Sequence, residues 1–244
     1  MTVKKVILIT GATRGIGEAI LCKFAESNNV IYGLFAHEAV LAEKLEHSLK
    51  PNDINMLQCD VTDKKKVGEI VKKIIEERGK IDVLVNCAGI TRDNVIINMS
   101  ENEWNSVIDT NLVGTFNCIN EVLPFMLECK YGNIVNLVSV SGVRGREAQS
   151  NYGTSKGAII GLTKLLSRMY GNQGIRINCV APGMINTKMI GHVPKDKLDN
   201  FLKHTVVNRL GEPEEVAEVV YFLAEDKSSY LINNVILTDG SFLR

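Results

Sequence analysis

The apolar run Val6 to Thr10 passes directly into Gly11-Ala12-Thr13-Arg14-Gly15-Ile16-Gly17 and then into a helical pattern carrying Ile20, Leu21, Phe24 and Ala25. Few folds accommodate a strand, a glycine turn and a helix in that order. The glycines suit a tight turn, close backbone approach to a pyrophosphate and close helix-on-sheet packing. The helix start then offers unpaired N–H groups and a positive dipole end to the phosphates. Placed here, the three glycines predict a dinucleotide site. Their spacing is Gly-x-x-x-Gly-x-Gly, not Gly-x-Gly-x-x-Gly.

The same alternation continues along the chain. Strands are predicted at residues 4–9, 30–35, 55–59, 82–86, 133–138, 176–181 and 235–238, mostly as continuous apolar runs of the kind buried on both faces. Helical patterns lie between them. In one, Val67, Ile70, Val71, Ile74 and Ile75 form a stripe, and Lys64, Lys65 and Lys66 belong to its solvated face. Strand–helix alternation over 244 residues, with no repeat or linker, predicts one α/β domain with a doubly wound, Rossmann-type parallel sheet. The 28 basic and 28 acidic residues cancel, so no basic field exists to grip nucleic acid or an acidic membrane. No apolar run approaches a bilayer span and no signal peptide is evident. Six cysteines without CxxC or metal-ligand spacing predict reduced thiols, no metal site and a cytoplasmic protein.

An acid that binds the adenosine ribose would stand about 20 residues past the glycine turn, at the end of the second strand. Leu34 to Ala36 hold none, and Glu38 is read as already inside the next helix. Arg14 suits a 2′-phosphate. His37 either adds a hydrogen bond or is an exposed loop residue. The expected cofactor is therefore NADP(H).

Tyr152 and Lys156 share one face of a predicted helix, where an ammonium beside a phenol lowers the phenol pKa and suits it to proton transfer. Ser139 ends a strand at the edge where open α/β sheets bind ligands, with Ser141 a competing candidate. Asn111 lies on or beside the apolar stripe of a helix expected over residues 103–129 (Trp104, Val107, Ile108, Leu112, Phe116, Ile119, Leu123, Met126). A buried Asn needs its amide satisfied. It is either a structural hydrogen-bonding group or the holder of a water on a proton path to Lys156.

These residues together resemble the short-chain dehydrogenase/reductase family over essentially the whole chain. Residues 10–17 match its cofactor loop. Asp60, with Val61 beside it, matches the adenine-contacting Asp. Asn86-Cys87-Ala88-Gly89 matches its Asn-x-Ala-Gly segment. Asn111, Ser139, Tyr152 and Lys156 match its catalytic tetrad. Pro182-Gly183, Ile185 and Thr187 match the segment at the nicotinamide end. The resemblance implies cofactor contacts from Gly11, Thr13, Arg14, Gly15, Ile16, Gly17, His37, Asp60, Val61, Asn86, Ala88, Gly89, Tyr152, Lys156, Pro182, Gly183, Ile185 and Thr187. It also implies strand order 3-2-1-4-5-6-7 and a homotetramer paired through the helices over residues 103–129 and 152–170. Ala158, Leu162, Leu165 and Met169 give the second helix an outward apolar stripe.

Gly89 to Asn94, Asn151-Tyr152 and Arg209 to Glu215 are typical of 3-oxoacyl-[acyl-carrier-protein] reductases. The resemblance thus implies NADPH-dependent reduction of a 3-oxoacyl thioester in fatty-acid elongation, on acyl carrier protein or CoA. In those enzymes a basic pair docks the carrier. Here Lys130 is kept, Gln173 replaces the second residue, and Lys164, Arg168 and Arg176 stand in reserve. The departure keeps open a reductase of acetoacetyl-CoA, polyketides or small carbonyls. An NADP-dependent alcohol dehydrogenase and a catalytically idle NADP-binding subunit are further readings. A mobile substrate lid is expected over residues 187–208, lined by Met184, Met189, Ile190 and Val193, with Phe201 packed on the sheet.

Overall fold

The computed structural model describes residues 4–191 and 195–242. Strands β1 (Val6–Thr10), β2 (Val30–Phe35), β3 (Asp53–Gln58), β4 (Val83–Asn86), β5 (Gly132–Leu137), β6 (Ile175–Pro182) and β7 (Val235–Thr238) form one sheet. All are parallel, in the order β3-β2-β1-β4-β5-β6-β7, as the resemblance implied. The inner strands β1, β2, β4 and β5 are buried at every position. That is the origin of their unbroken apolar runs.

Helices cover both faces. On one side, α3 (Lys64–Arg78), α5 (Gly114–Cys129) and α7 (Ser150–Tyr170) bury Val67, Ile74, Val122 and Met126 against Leu8, Leu84 and Ile134. On the other, α1 (Gly15–Ala25) and α9 (Pro213–Ala224) bury Ile20, Phe24, Val216 and Val220 against Ile7, Ile9 and Val85. Helix α2 (Ala39–Ser48) follows β2, and α6 (Val140–Arg144) and α8 (Lys195–Leu202) are short. Among the described residues no helix is long and apolar enough to cross a membrane.

The expected helix over 103–129 is two helices joined by a wide turn. Helix α4 (Glu101–Val107) starts on Ser100, whose side chain and that of Glu103 cap each other's backbone N–H groups. A π-helical turn at Ile108–Val113 then leads into α5. That turn takes in an extra residue and advances the phase of everything beyond it. Phe116, expected in the buried stripe, is 46% exposed, and Gly114, Thr115 and Asn117 are buried in its place.

Candidate active site

The carboxyl ends of β1, β4, β5 and β6 converge, and the expected site residues lie just beyond them. After β1 the loop folds back tightly. A Cβ on Gly17 would collide with the Gly11 carbonyl oxygen, so only glycine permits α1 to begin there. Thr10 Oγ1 accepts from the N–H groups of Cys87 and Ala88, both at 3.0 Å, and locks this loop to the segment after β4. The Thr187 methyl faces Gly15 across the crevice, so the residues beyond β6 close its other side. Pro182 ends β6, Gly183 N–H donates to Thr238, and Ile185 is buried. The backbone of Gly11 to Gly17 leaves the open cradle a pyrophosphate requires, and the residues present fit a dinucleotide.

The adenosine end differs from expectation at one residue. Glu38 is not inside α2 but precedes it, and its carboxylate turns back onto the glycine loop. Its Oε2 accepts from the Thr13 hydroxyl at 2.7 Å, and Oε1 pairs with Arg14 Nη1 at 3.0 Å. An acid therefore does stand in the β2–α2 turn. His37 is exposed. Asp60 is exposed too, and its Oδ1 accepts from Thr62 N–H and Oγ1, both at 2.9 Å. Val61 is buried, with its carbonyl held by Asn117 Nδ2 at 3.0 Å.

The reacting groups come together beyond β5. Ser139 caps α6, its Oγ accepting from Ser141 N–H at 3.1 Å. The Ser139 hydroxyl stands beside the Tyr152 phenol and acts to lower its pKa. Ser141, the rival candidate, is committed elsewhere. Its Oγ donates to buried Gln149 Oε1 at 2.7 Å, and Gln149 Nε2 donates to Asp93 at 2.8 Å. Lys156 lies one turn along α7 from Tyr152, its Nζ 5.8 Å from the ring centroid. It is 4% exposed and donates to the Leu137 carbonyl at 2.7 Å.

The electrostatics run opposite to the expectation of a lowered phenol. Burial pushes Tyr152 up to about 12, and the Ser139 hydroxyl offsets only part of this. Burial pushes Lys156 down to about 8. The ammonium is engaged by a backbone carbonyl rather than by the phenol, so desolvation dominates both groups.

Asn111, inside the π turn, is fully buried. Its Oδ1 accepts from Ile90 N–H at 2.8 Å, and its Nδ2 donates to the Ile90 carbonyl and Ser155 Oγ, both at 3.1 Å. It staples the segment after β4 to α7. A Cβ on Gly89 would lie 3.2 Å from Asn111 Oδ1 and 3.4 Å from Lys156 Nζ, so the missing side chain leaves a small space between them. Behind the site, Asn86 Nδ2 donates to Asn136 Oδ1 at 2.8 Å, and Asn136 Nδ2 to Thr163 Oγ1 at 2.9 Å. This ladder ties β4, β5 and α7 together. Asn136, Thr163, Gln149 and Ser155 carry no sequence signal of their own.

Two expectations about the periphery change. Arg176 is not a spare docking cation. Its guanidinium donates to the carbonyls of Ser228 and Leu231 and to those of Leu223 and Glu225 at the end of α9. Lys130 and Gln173 precede β5 and β6, at the amino edge of the sheet opposite the catalytic groups. In the expected lid, Phe201 stacks on Phe242 with centroids 4.6 Å apart, not on the sheet. It lines a cavity of about 290 Å³ with Met184, Ile185, Leu237 and Asp239. Val193 and the side chain of Met189 lie outside the described residues.

Residues 11–242 match the family model described as enoyl-(acyl carrier protein) reductase. The chain is 42% identical over 240 residues to a 3-oxoacyl-[acyl-carrier-protein] reductase of Thermotoga maritima, covering 98% of each. It is 40% identical over 238 residues to that of Staphylococcus epidermidis, covering 97% of this chain and 98% of the relative. It is 39% identical over 242 residues to that of Chlamydia muridarum, covering 98% of each. With its sheet order and the grouping of Ser139, Tyr152 and Lys156, the chain belongs to the short-chain dehydrogenase/reductase family.

Proposed function

We propose that the protein reduces the ketone of a 3-oxoacyl thioester to the 3-hydroxyacyl thioester, with NADPH as reductant, in fatty-acid elongation. The observation that carries this reading is the grouping of the Ser139 hydroxyl and the Tyr152 phenol beyond β5, with Lys156 Nζ 5.8 Å from the phenol's ring centroid. The nicotinamide, when bound, supplies the hydride that the ketone carbon receives. Tyr152 donates its phenolic proton to the carbonyl oxygen, which becomes the hydroxyl. Ser139 donates a hydrogen bond to that oxygen as charge develops on it. A phenol held well above its ordinary pKa stays protonated until that charge appears. Lys156 is buried and positive and offsets the phenolate left behind. The space over Gly89 between Asn111 Oδ1 and Lys156 Nζ supports a relay water there. An enoyl thioester, named in the family model's description, fits less well, because its reduction places the proton on carbon.

Arg14 supports NADPH through its guanidinium at the adenosine end. Names of the relatives support a carrier-protein substrate. Lys130 sits across the sheet from Tyr152, so a carrier docked on it would feed the site of another copy. That links docking to a homotetramer, which the exposed apolar residues Val113, Phe116, Leu165 and Met169 along α5 and α7 support. The segment over α8 serves as the substrate lid, and the cytoplasm is the expected location.

The test compares acetoacetyl-carrier protein, acetoacetyl-CoA and crotonyl-CoA, followed by nicotinamide absorbance, in the parent and in Tyr152→Phe. Loss of nearly all turnover with dinucleotide binding retained is expected. Retained turnover, or faster reduction of the enoyl thioester, overturns the reading.

A further inference from the structure

The cavity of about 290 Å³ that Phe201 of α8 helps to line lies between the segment after β6, the start of α9 and the end of β7. That size is at the lower end for ligand pockets, so it takes part of a molecule and not a whole nucleotide. Several of its polar groups are already paired. Arg209 and Glu215 bond each other through both forks at 2.7 Å, and Thr205 Oγ1 donates to the Leu202 carbonyl at 2.8 Å. Two others on the wall are not. The Asp239 side chain is 7% exposed. Its Oδ1 accepts from Ser241 N–H at 3.0 Å, while Oδ2 is buried without a hydrogen-bond partner among the described residues. Arg144 Nη2 stands 3.9 Å from that oxygen, outside hydrogen-bond range, so it balances the charge and leaves the lone pairs unmet. The Thr238 hydroxyl, next along the chain, is also buried without a partner. Polar groups buried in this state are costly, a carboxylate oxygen most of all.

These two groups define what fits. A cation would meet Arg144 as a like charge, and an anion would meet Asp239. A plain alkyl chain would leave both groups unpaired. An amide satisfies them together, its N–H on the carboxylate and its carbonyl on the hydroxyl. Met184, Ile185, Phe201 and Leu237 supply apolar wall for the carbons on either side of it. The cavity also borders the reacting groups. Arg146, on the loop that leads into α7 and Tyr152, places Nη1 3.6 Å from Met184 Sδ.

We infer that this cavity is the subsite for the amide-bearing arm through which CoA and carrier protein alike hold the acyl group, with an arm N–H donating to Asp239 Oδ2 and the adjoining methylenes against Phe201 and Leu237. The inference rests on the thioester reading of the substrate.

The test is steady-state reduction of acetoacetyl-CoA, acetoacetyl-carrier protein and ethyl acetoacetate, which has no such arm, by the parent, Asp239→Asn and Thr238→Val. In Asp239→Asn the Ser241 N–H retains the amide oxygen, so an N–H group replaces Oδ2 and faces the N–H of the arm. KM for both thioesters should rise about tenfold with kcat within about twofold, the mark of binding lost away from the reacting atoms. The loss should be selective for the thioesters over the ester. Thr238→Val leaves the Ser241 and Arg144 contacts of Asp239 in place. It should raise the same KM values about threefold, and it decides alone where Asp239→Asn does not fold. An unchanged KM for the thioesters, an equal loss for the ester, or a loss confined to one of the two thioesters overturns the inference while ketone reduction stands. A parent that reduces none of the three substrates overturns the thioester reading as well.

Discussion

Replacing Ser139 by alanine tests the assignment of roles between the two serines beyond β5. Ser139 has two tasks. It caps α6 through Ser141 N–H at 3.1 Å, and its hydroxyl reaches the Tyr152 phenol. Loss of the cap costs about 1 kcal/mol of stability. In a chain of this size that is a fall of roughly 2–4 °C in Tm. Loss of a donor to an oxygen that gains charge costs about 10²–10³ in kcat, or about 3–4 kcal/mol of barrier. The damage to catalysis therefore exceeds the damage to folding. Ser141→Ala reverses that order. It leaves the buried Gln149 Oε1 without its 2.7 Å donor, a loss of about 1–3 kcal/mol in stability. It touches no reacting atom, so kcat stays within about tenfold of the parent. Steady-state reduction of acetoacetyl thioester gives kcat, and calorimetry on the same samples gives Tm. If Ser141→Ala loses as much kcat as Ser139→Ala, the division of roles argued here is wrong.

Lys156→Met carries a pH signature. Burial lowers the folded pKa of Lys156 to about 8, so between there and its ordinary value the unfolded chain binds the extra proton. Stability in that window rises with pH by about 1.4 kcal/mol per unit in the parent. Urea unfolding from pH 8 to 10 should show this slope in the parent and lose it in Lys156→Met. Tyr152 acts in the other sense, since its raised pKa makes stability fall as pH climbs from about 10 toward 12. Tyr152→Phe should flatten that decline when the unfolding series is carried from pH 10 to 12. Arg176→Met removes a guanidinium that holds four carbonyls and should cost about 3 kcal/mol in chemical denaturation. Its KM for carrier-bound and CoA-bound substrate should change by the same factor, and a selective loss for the carrier form would restore Arg176 as a docking residue. Gly17→Ala should abolish dinucleotide binding in a fluorescence titration while the far-ultraviolet dichroism of the fold is retained, because the added carbon meets the Gly11 carbonyl.

Much of this was legible in the sequence because the inner strands are buried on both faces. Continuous apolar runs have no other use at that length, so all seven strands fall within two residues of their expected bounds. Strand β3 starts early, at Asp53, because pairing with β2 and the Arg78 guanidinium at 3.1 Å absorb a charged residue that composition alone assigns to a turn. Ser139, Tyr152 and Lys156 were visible through spacing and place. Glu38 was misplaced because one residue decides whether a side chain caps a helix or lies within it, and periodicity does not resolve a boundary to one residue. Gln149 was invisible: a buried glutamine in a loop reads as a polar turn until its partners are seen. The raised phenol was missed because a Tyr–Lys spacing conveys attraction and says nothing of the water removed from both.

The wide turn at Ile108–Val113 works as an angular spacer on the axle that carries Asn111 at one end and the buried face of α5 at the other. Deleting one residue there would let the backbone heal into a plain α-helix with its hydrogen bonds intact. Ile119, Val122 and Met126 would keep their places in the core, because the wide turn absorbs its extra residue locally. The cost would fall on the turn itself, from which Asn111 grips Ile90. The same single-codon loss a turn further along, inside α5, would rotate everything beyond it by about 100° and carry those side chains out of the core.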